Sequence, residues 1–124
     1  MATINFDDDS FREAYKNNDI VIMDFWAVWC NPCHQFAPIY EEVSEEYKDI
    51  VFGKVETEVQ QQLSAYFGIR SIPTIIIIRE QLEVFRHSGV LGSRELKEVV
   101  EKVKTLNMDE VRQKIEAEEA SSSS

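Results

Sequence analysis

Along the chain the spacing of apolar positions changes several times, and each change marks an element. Acidic and hydroxyl residues precede Phe11, Ala14 and Tyr15 at helical spacing, so residues 7–15 are predicted as a helix. Residues 3–6 offer an early extra strand, and Asn17-Asn18-Asp19 is a turn signal. Residues 20–27 are then apolar at almost every position, interrupted only by Asp24. A run without alternation suits a central strand covered by helices on both faces.

After Cys30-Asn31-Pro32-Cys33 the period becomes helical: Phe36, Ile39, Tyr40, Val43 and Tyr47 share one face, and Glu41, Glu42, Glu45 and Glu46 fill the other. Pro38 falls inside this helix and predicts a kink, because it lacks an N–H and crowds the preceding turn. Residues 50–56 read as a strand and 58–67 as a short helix ending at Gly68. Residues 74–78 form a β-branched strand, and 82–87 pair with it across a hairpin. The intervening Glu80-Gln81-Leu82 has no preferred turn residue, which predicts a longer or looser connection. Residues 93–106 close the domain as an amphipathic helix with Ser93 as its cap and Leu96, Val99, Val100 and Val103 facing inward.

This order predicts an α/β domain, a mixed sheet flanked by helices on both faces, over residues 1–106. Residues 107–124 are an acidic C-terminal extension. There Met108, Val111 and Ile115 make a narrow helical stripe, and Asp109 and Glu110 suit a helix N-terminus. Beyond it Glu116-Ala117-Glu118-Glu119-Ala120 and four serines are expected to be solvated and disordered.

With 124 residues, 44% of them hydrophobic, the chain can build a single core. Its 13 basic and 23 acidic residues give a net charge of −10, which argues against nucleic acid or an anionic membrane as partner. No apolar run is long enough to span a bilayer. The first residues carry no basic region, long apolar run or cleavage signal, so a cytoplasmic address is expected. An acidic, self-repelling small domain is compatible with a monomer.

Two cysteines are too few to staple a secreted scaffold, and they lie three positions apart where a buried strand hands over to a helix. Cys30 would occupy the helix N-terminus, where unpaired N–H groups and the dipole stabilise a thiolate, the attacking species in disulfide exchange. Pro32 suits the first helical turn. Cys33, one turn inward, is placed to attack a mixed disulfide on Cys30. The competing readings are half of a zinc site, for which only His34 and His87 could complete the ligands, and a pair of inert core cysteines.

The chain resembles the thioredoxin family. The similarity rests on three segments: Met23-Asp24-Phe25-Trp26-Ala27-Val28-Trp29-Cys30-Asn31-Pro32-Cys33, then Phe67-Gly68-Ile69-Arg70-Ser71-Ile72-Pro73-Thr74, then Ser88-Gly89-Val90-Leu91. Together they cover roughly residues 3–106 in order and spacing. The resemblance implies a thioredoxin fold, Cys30 as nucleophile and Cys33 as resolving thiol. It implies that Asp24, desolvated with a raised pKa, is the base for Cys33, with Lys54 as its partner. Pro73 would be cis and face the disulfide, and Ile72 and Thr74 would offer backbone groups to an extended substrate. Trp29, Asn31, Pro32, Ile72, Gly89 and Val90 would surround Cys30 as a docking surface, with Trp26 packing behind it. No bound cofactor or metal is implied. The redox-active Cys30–Cys33 disulfide would be recharged by a flavin-dependent, NADPH-fed thioredoxin reductase, and the substrates would be disulfide-containing proteins.

Two departures bear on potential. Asn31 stands where the family has glycine, and His34 where it has a basic residue. His34 is either a charge that favours the thiolate when protonated or an exposed helix residue of little effect. The leading expectation is a protein-disulfide reductase. The alternatives are a higher-potential disulfide oxidase or isomerase, and a thioredoxin-fold module that only binds partners.

Overall fold

The structure, a computed structural model, describes residues 2–122. Its elements are β1 (Thr3–Asn5), α1 (Asp8–Asn17), β2 (Ile20–Trp26), α2 (Asn31–Glu46) and β3 (Val51–Glu56). They continue with α3 (Gln61–Tyr66), β4 (Thr74–Arg79), β5 (Leu82–Ser88), α4 (Ser93–Lys104) and α5 (Met108–Ser122). The strands form one mixed sheet in the order β1-β3-β2-β4-β5. β3 is parallel to both β1 and β2, whereas β4 runs antiparallel to β2 and β5.

β2 is apolar at nearly every position because it is covered twice. Ile20 and Ile22 point to one core, where Phe36, Tyr40 and Val43 of α2 meet Leu96, Val100 and Val103 of α4. Val21, Met23 and Phe25 point to the other, against Ala14 of α1 and Leu63 of α3. Alternation along the strand sends Asp24 to the α2 side, the face of Ile20 and Ile22. Gly53 of β3 is required by packing, since a Cβ there would overlap the ring of Phe6.

Four local expectations need correction. The β4–β5 hairpin is tight: Arg79 and Leu82 pair directly, leaving a two-residue turn at Glu80 and Gln81. Both residues adopt positive φ, 50° and 68°, the left-handed conformation a two-residue hairpin turn of this hand demands. Tertiary bonds hold it there, with the Glu80 N–H on the Asp19 carbonyl at 2.8 Å and the Tyr15 hydroxyl on the Gln81 carbonyl at 3.0 Å. The cap of α4 is Gly92, not Ser93; the chain is still extended at Gly92, so Ser93 is already helical. α3 starts only at Gln61, because Val59 closes a turn with both the backbone and the side chain of Glu56. Finally, α5 runs on to Ser122, so Glu116 to Ala120, expected as disordered, are helical. The expectation for Ser123 and Ser124 lies outside the described residues.

α2 continues through Pro38. The proline is on the exposed face, one turn after the exposed His34, whose carbonyl loses its i+4 donor. α5 is fastened at its start by buried Met108 and by Arg112, which bonds Glu80 of the hairpin turn at 2.7 Å. Arg79 braces the same end, donating from Nη1 to the carbonyls of Val103 and Leu106 at 2.8 and 2.9 Å. Among the described residues no helix is long and apolar enough to cross a membrane.

Candidate functional site

β2 ends at Trp26, and a short loop leads to α2, whose N-cap is Cys30. Cys30 is extended, with φ −93° and ψ 104°, and its Sγ accepts the backbone N–H of Cys33 at 3.2 Å. The sulfur therefore occupies the place of a capping oxygen, among the unpaired donors of the first turn. Pro32 fits that turn without losing a bond. Cys30 and Cys33 form a disulfide with Cα atoms 5.3 Å apart. Both are buried, and they pack with Ala27, Trp26 and Ile72 in a small cluster of their own. Among the described residues no three His, Cys, Asp or Glu side chains gather to hold a metal ion.

Asp24 is 1% exposed, and neither carboxylate oxygen has a hydrogen-bond partner among the described residues. Burial pushes its carboxyl up to about 7, opposed by the charge of Lys54. The two stand side by side in the β2–β3 register, but no ion pair joins them. Lys54 instead places Nζ 4.9 Å from the centre of the Trp26 ring, a cation–π contact. Asp24 is thus a buried acid whose carboxyl is pushed up by desolvation, with the charge of Lys54 opposing that shift.

The Ile72–Pro73 peptide bond is cis. The Pro73 carbonyl accepts the Gly89 N–H at 2.9 Å, and the Ser71 hydroxyl bonds that of Ser88 at 3.0 Å, so the cis-proline loop and the glycine loop are one unit. Gly89 has φ +105°, where any side chain would be strained. Ile72 packs against the disulfide cluster, yet no main-chain hydrogen bond within the described residues uses its N–H or C=O. Thr74, grouped with it in the sequence reading, already lies inside the sheet between Phe25 and Ser88. Free main-chain groups beside the disulfide are therefore those of Ile72.

Trp29 is 68% exposed and donates Nε1–H to Glu58 at 2.8 Å. Asn31 and Pro32 are exposed on the first turn of α2, and Val90 is exposed beyond Gly89. A shallow pocket of about 370 Å³ opens between Trp29 and Ile72, floored by Ser64 and Ala65 and edged by Arg70. His34 lies with its Nε2 2.6 Å from the Val28 carbonyl and its ring edge toward Trp26, bracing the loop that precedes Cys30.

Two contributors were not singled out in the sequence. Tyr40 reads there as one more apolar residue on the α2 stripe. Its buried hydroxyl donates to the carbonyls of Ile22 at 3.2 Å and Gly53 at 2.7 Å, tying α2 to the strands beside Asp24 and Lys54. The available signal was a phenol in a core stripe, which needs a partner when buried. Glu58, the anchor of Trp29, carried no signal at all.

The arrangement is a disulfide at a helix N-terminus, reached from a strand that carries a buried acid, and beside an open main-chain edge. Comparison with known proteins agrees with that chemistry. The Thioredoxin family profile matches residues 2–117. The chain is 44% identical over 119 residues to the putative thioredoxin 2 of Streptomyces coelicolor, covering 96% of this chain and 89% of that one. Among solved structures it is similar to a point mutant of Halobacterium salinarum thioredoxin, with 26% identity and a TM-score of 0.78 over 84% of this chain and 92% of that one. It is also similar to a chain from the complex of ferredoxin:thioredoxin reductase with thioredoxin f2, with 31% identity and a TM-score of 0.77 over 84% and 96%.

Proposed function

The chain belongs to the thioredoxin family and is a thioredoxin-type thiol–disulfide oxidoreductase, a protein-disulfide reductase with Cys30 and Cys33 as its redox-active pair; from that premise we propose how its residues share the reaction. In the reduced protein the Cys30 thiolate, favoured by the α2 N-terminus, attacks one sulfur of a substrate disulfide. A Cys30–substrate disulfide forms, and the other substrate sulfur leaves as a thiolate that takes a proton. Asp24 then accepts the proton of Cys33, whose thiolate attacks Cys30 Sγ. The mixed bond breaks, the second substrate thiol departs, and the Cys30–Cys33 disulfide of the present structure results. Two electrons pass to the substrate; the first leaving thiolate takes its proton from solvent, and the second takes the proton that Asp24 received from Cys33.

The observation that carries this assignment is the disulfide at the N-cap of α2, the helix entered directly from β2, the strand that carries the buried Asp24 whose carboxyl burial pushes up to about 7. Lys54 tunes that acid. Ile72, next to cis Pro73, pairs main chain to main chain with an extended substrate, and Trp29, Asn31, Pro32, Gly89 and Val90 cover its flanks. Residues 1–106 are the redox domain and 107–124 an appended extension, in a cytoplasmic monomer.

Mixing Cys33→Ser protein with a disulfide-bonded peptide tests the division of labour. Mass spectrometry should find a stable adduct on Cys30; an adduct on neither residue, or full turnover, would refute it. The oxidised pair is recharged by an NADPH-fed, flavin-dependent thioredoxin reductase. The relative crystallised with ferredoxin:thioredoxin reductase supplies the second reading. Offering both reductases to the oxidised protein decides between them.

A further inference from the structure

His34 clasps the turn that carries Cys30 at two points. Its backbone N–H donates to the Cys30 carbonyl at 3.2 Å, the opening i+4 bond of α2. Its ring Nε2 lies 2.6 Å from the Val28 carbonyl. A carbonyl oxygen only accepts, so Nε2 carries the proton of that bond, and the bond forms whether or not the ring is charged. Between these two points the Cys30 N–H closes the turn on the Ala27 carbonyl at 3.2 Å. Pro32, four residues after Val28, has no N–H to offer the Val28 carbonyl, and the imidazole supplies the donor instead. The ring is kept in place by Trp26, which it meets at 71° with centroids 6.3 Å apart.

The sulfur has a separate support. Cys30 Sγ accepts the Cys33 N–H at 3.2 Å, a bond at the start of α2 that does not involve the ring. Two requirements at Cys30 are therefore met by different groups. The helix N-terminus favours the thiolate, whereas the turn from Ala27 to Cys30 decides where the sulfur points. Attack on a disulfide needs the incoming sulfur aligned with the bond that breaks, so a loose turn costs rate even when the thiolate population is unchanged.

We infer that His34 is a positioning residue for disulfide exchange: its Nε2–H bond to the Val28 carbonyl locks the turn from Ala27 to Cys30 and keeps the Cys30 sulfur aligned for attack. It acts as a hydrogen-bond donor rather than as a charge, which is neither of the two roles the sequence offered for it. This rests on the assignment of Cys30 as the attacking thiol.

The test compares wild type with His34→Ala and His34→Gln in the full chain. The Gln amide N–H lies as many bonds from the backbone as Nε2 and carries no charge. His34 is exposed, so neither change empties a core position. Two rates are measured on each reduced protein: reduction of a synthetic peptide pair joined by one disulfide, and alkylation of Cys30 by iodoacetamide. Alkylation reports the thiolate and demands little orientation. His34→Ala should reduce the peptide disulfide about fivefold more slowly, the factor carried by one hydrogen bond of ordinary worth, with its alkylation rate unchanged. His34→Gln should recover the wild-type rate of reduction. Parallel slowing of alkylation would place the effect on the thiolate and overturn the inference. So would a Gln variant as slow as the Ala variant, or an Ala variant as fast as wild type. A wild type whose Cys30 is alkylated but which leaves the peptide disulfide intact would instead remove the assigned reaction itself.

Discussion

Replacing Asp24 by Asn keeps the shape of the buried side chain and removes its charge. At low pH the wild-type carboxyl is protonated in both folded and unfolded chains, so two neutral groups of equal size occupy the same buried site. Neither finds a partner, since both Asp24 oxygens are unpaired, and the two proteins should be about equally stable. As pH rises above the ordinary carboxyl value of 3.8, the unfolded wild-type chain ionises freely while the folded one resists until about 7. A raised folded-state pKa means that stability is present at low pH and is lost through this window. The interval from 3.8 to about 7 corresponds to about 4 kcal/mol, at about 1.4 kcal/mol per pH unit. Asp24→Asn should therefore be indistinguishable from wild type near about pH 4 and more stable by about 4 kcal/mol above about pH 8. Guanidinium unfolding of the oxidised proteins at several pH values measures the difference directly. A gap within about 0.5 kcal/mol across that range, or one that does not grow with pH, would refute the desolvation argument. The same variant should also release its mixed disulfide about a hundredfold more slowly near neutrality, as expected for loss of a general base.

Three further predictions follow from the same geometry. Lys54→Met removes the cation that draws Asp24 downward, so the carboxyl should titrate higher still and the pH–rate profile should move to alkaline pH; an unmoved midpoint by carboxyl NMR would show that the charge is screened. Arg79→Ala strips donors from the carbonyls of Val103 and Leu106 at a side chain only 16% exposed, and should cost about 3 kcal/mol in chemical unfolding; a loss below about 1 kcal/mol would place the C-terminal brace elsewhere. Gln81→Gly relieves a φ of +68° while keeping the backbone carbonyl that Tyr15 holds, and should stabilise by about 1 kcal/mol; a lower melting temperature would mean that the glutamine side chain contributes more than its strain costs.

The sequence by itself determined the class of fold and the reacting pair. A strand as evenly apolar as 20–27 has only one stable use, the middle of a sheet covered twice, and its single acid must then be desolvated wherever the sheet lies. Cysteines three apart at a strand-to-helix junction are local in sequence, so their bridge needs no tertiary information. The same holds for the amphipathic periods of α2 and α4. What the chain could not state locally depends on residues distant along it. Glu80 and Gln81 read as a poor turn, and contacts from Asp19, Tyr15 and Arg112 hold them in a left-handed one. The tail read as a short helix and a solvated end, whereas Met108 and Arg112 dock a helix that continues to Ser122. The hydroxyl of Tyr40 spans two carbonyls on different strands, and Glu58 aims Trp29 across a loop boundary. Lys54 stands beside Asp24 in the strand register but is held over Trp26 rather than in a pair with the acid. Patterns repeated within one element are set by backbone period and burial, which the linear order encodes. Partnerships between elements depend on sheet register and on which side chains packing leaves facing one another, and only the assembled structure decides those.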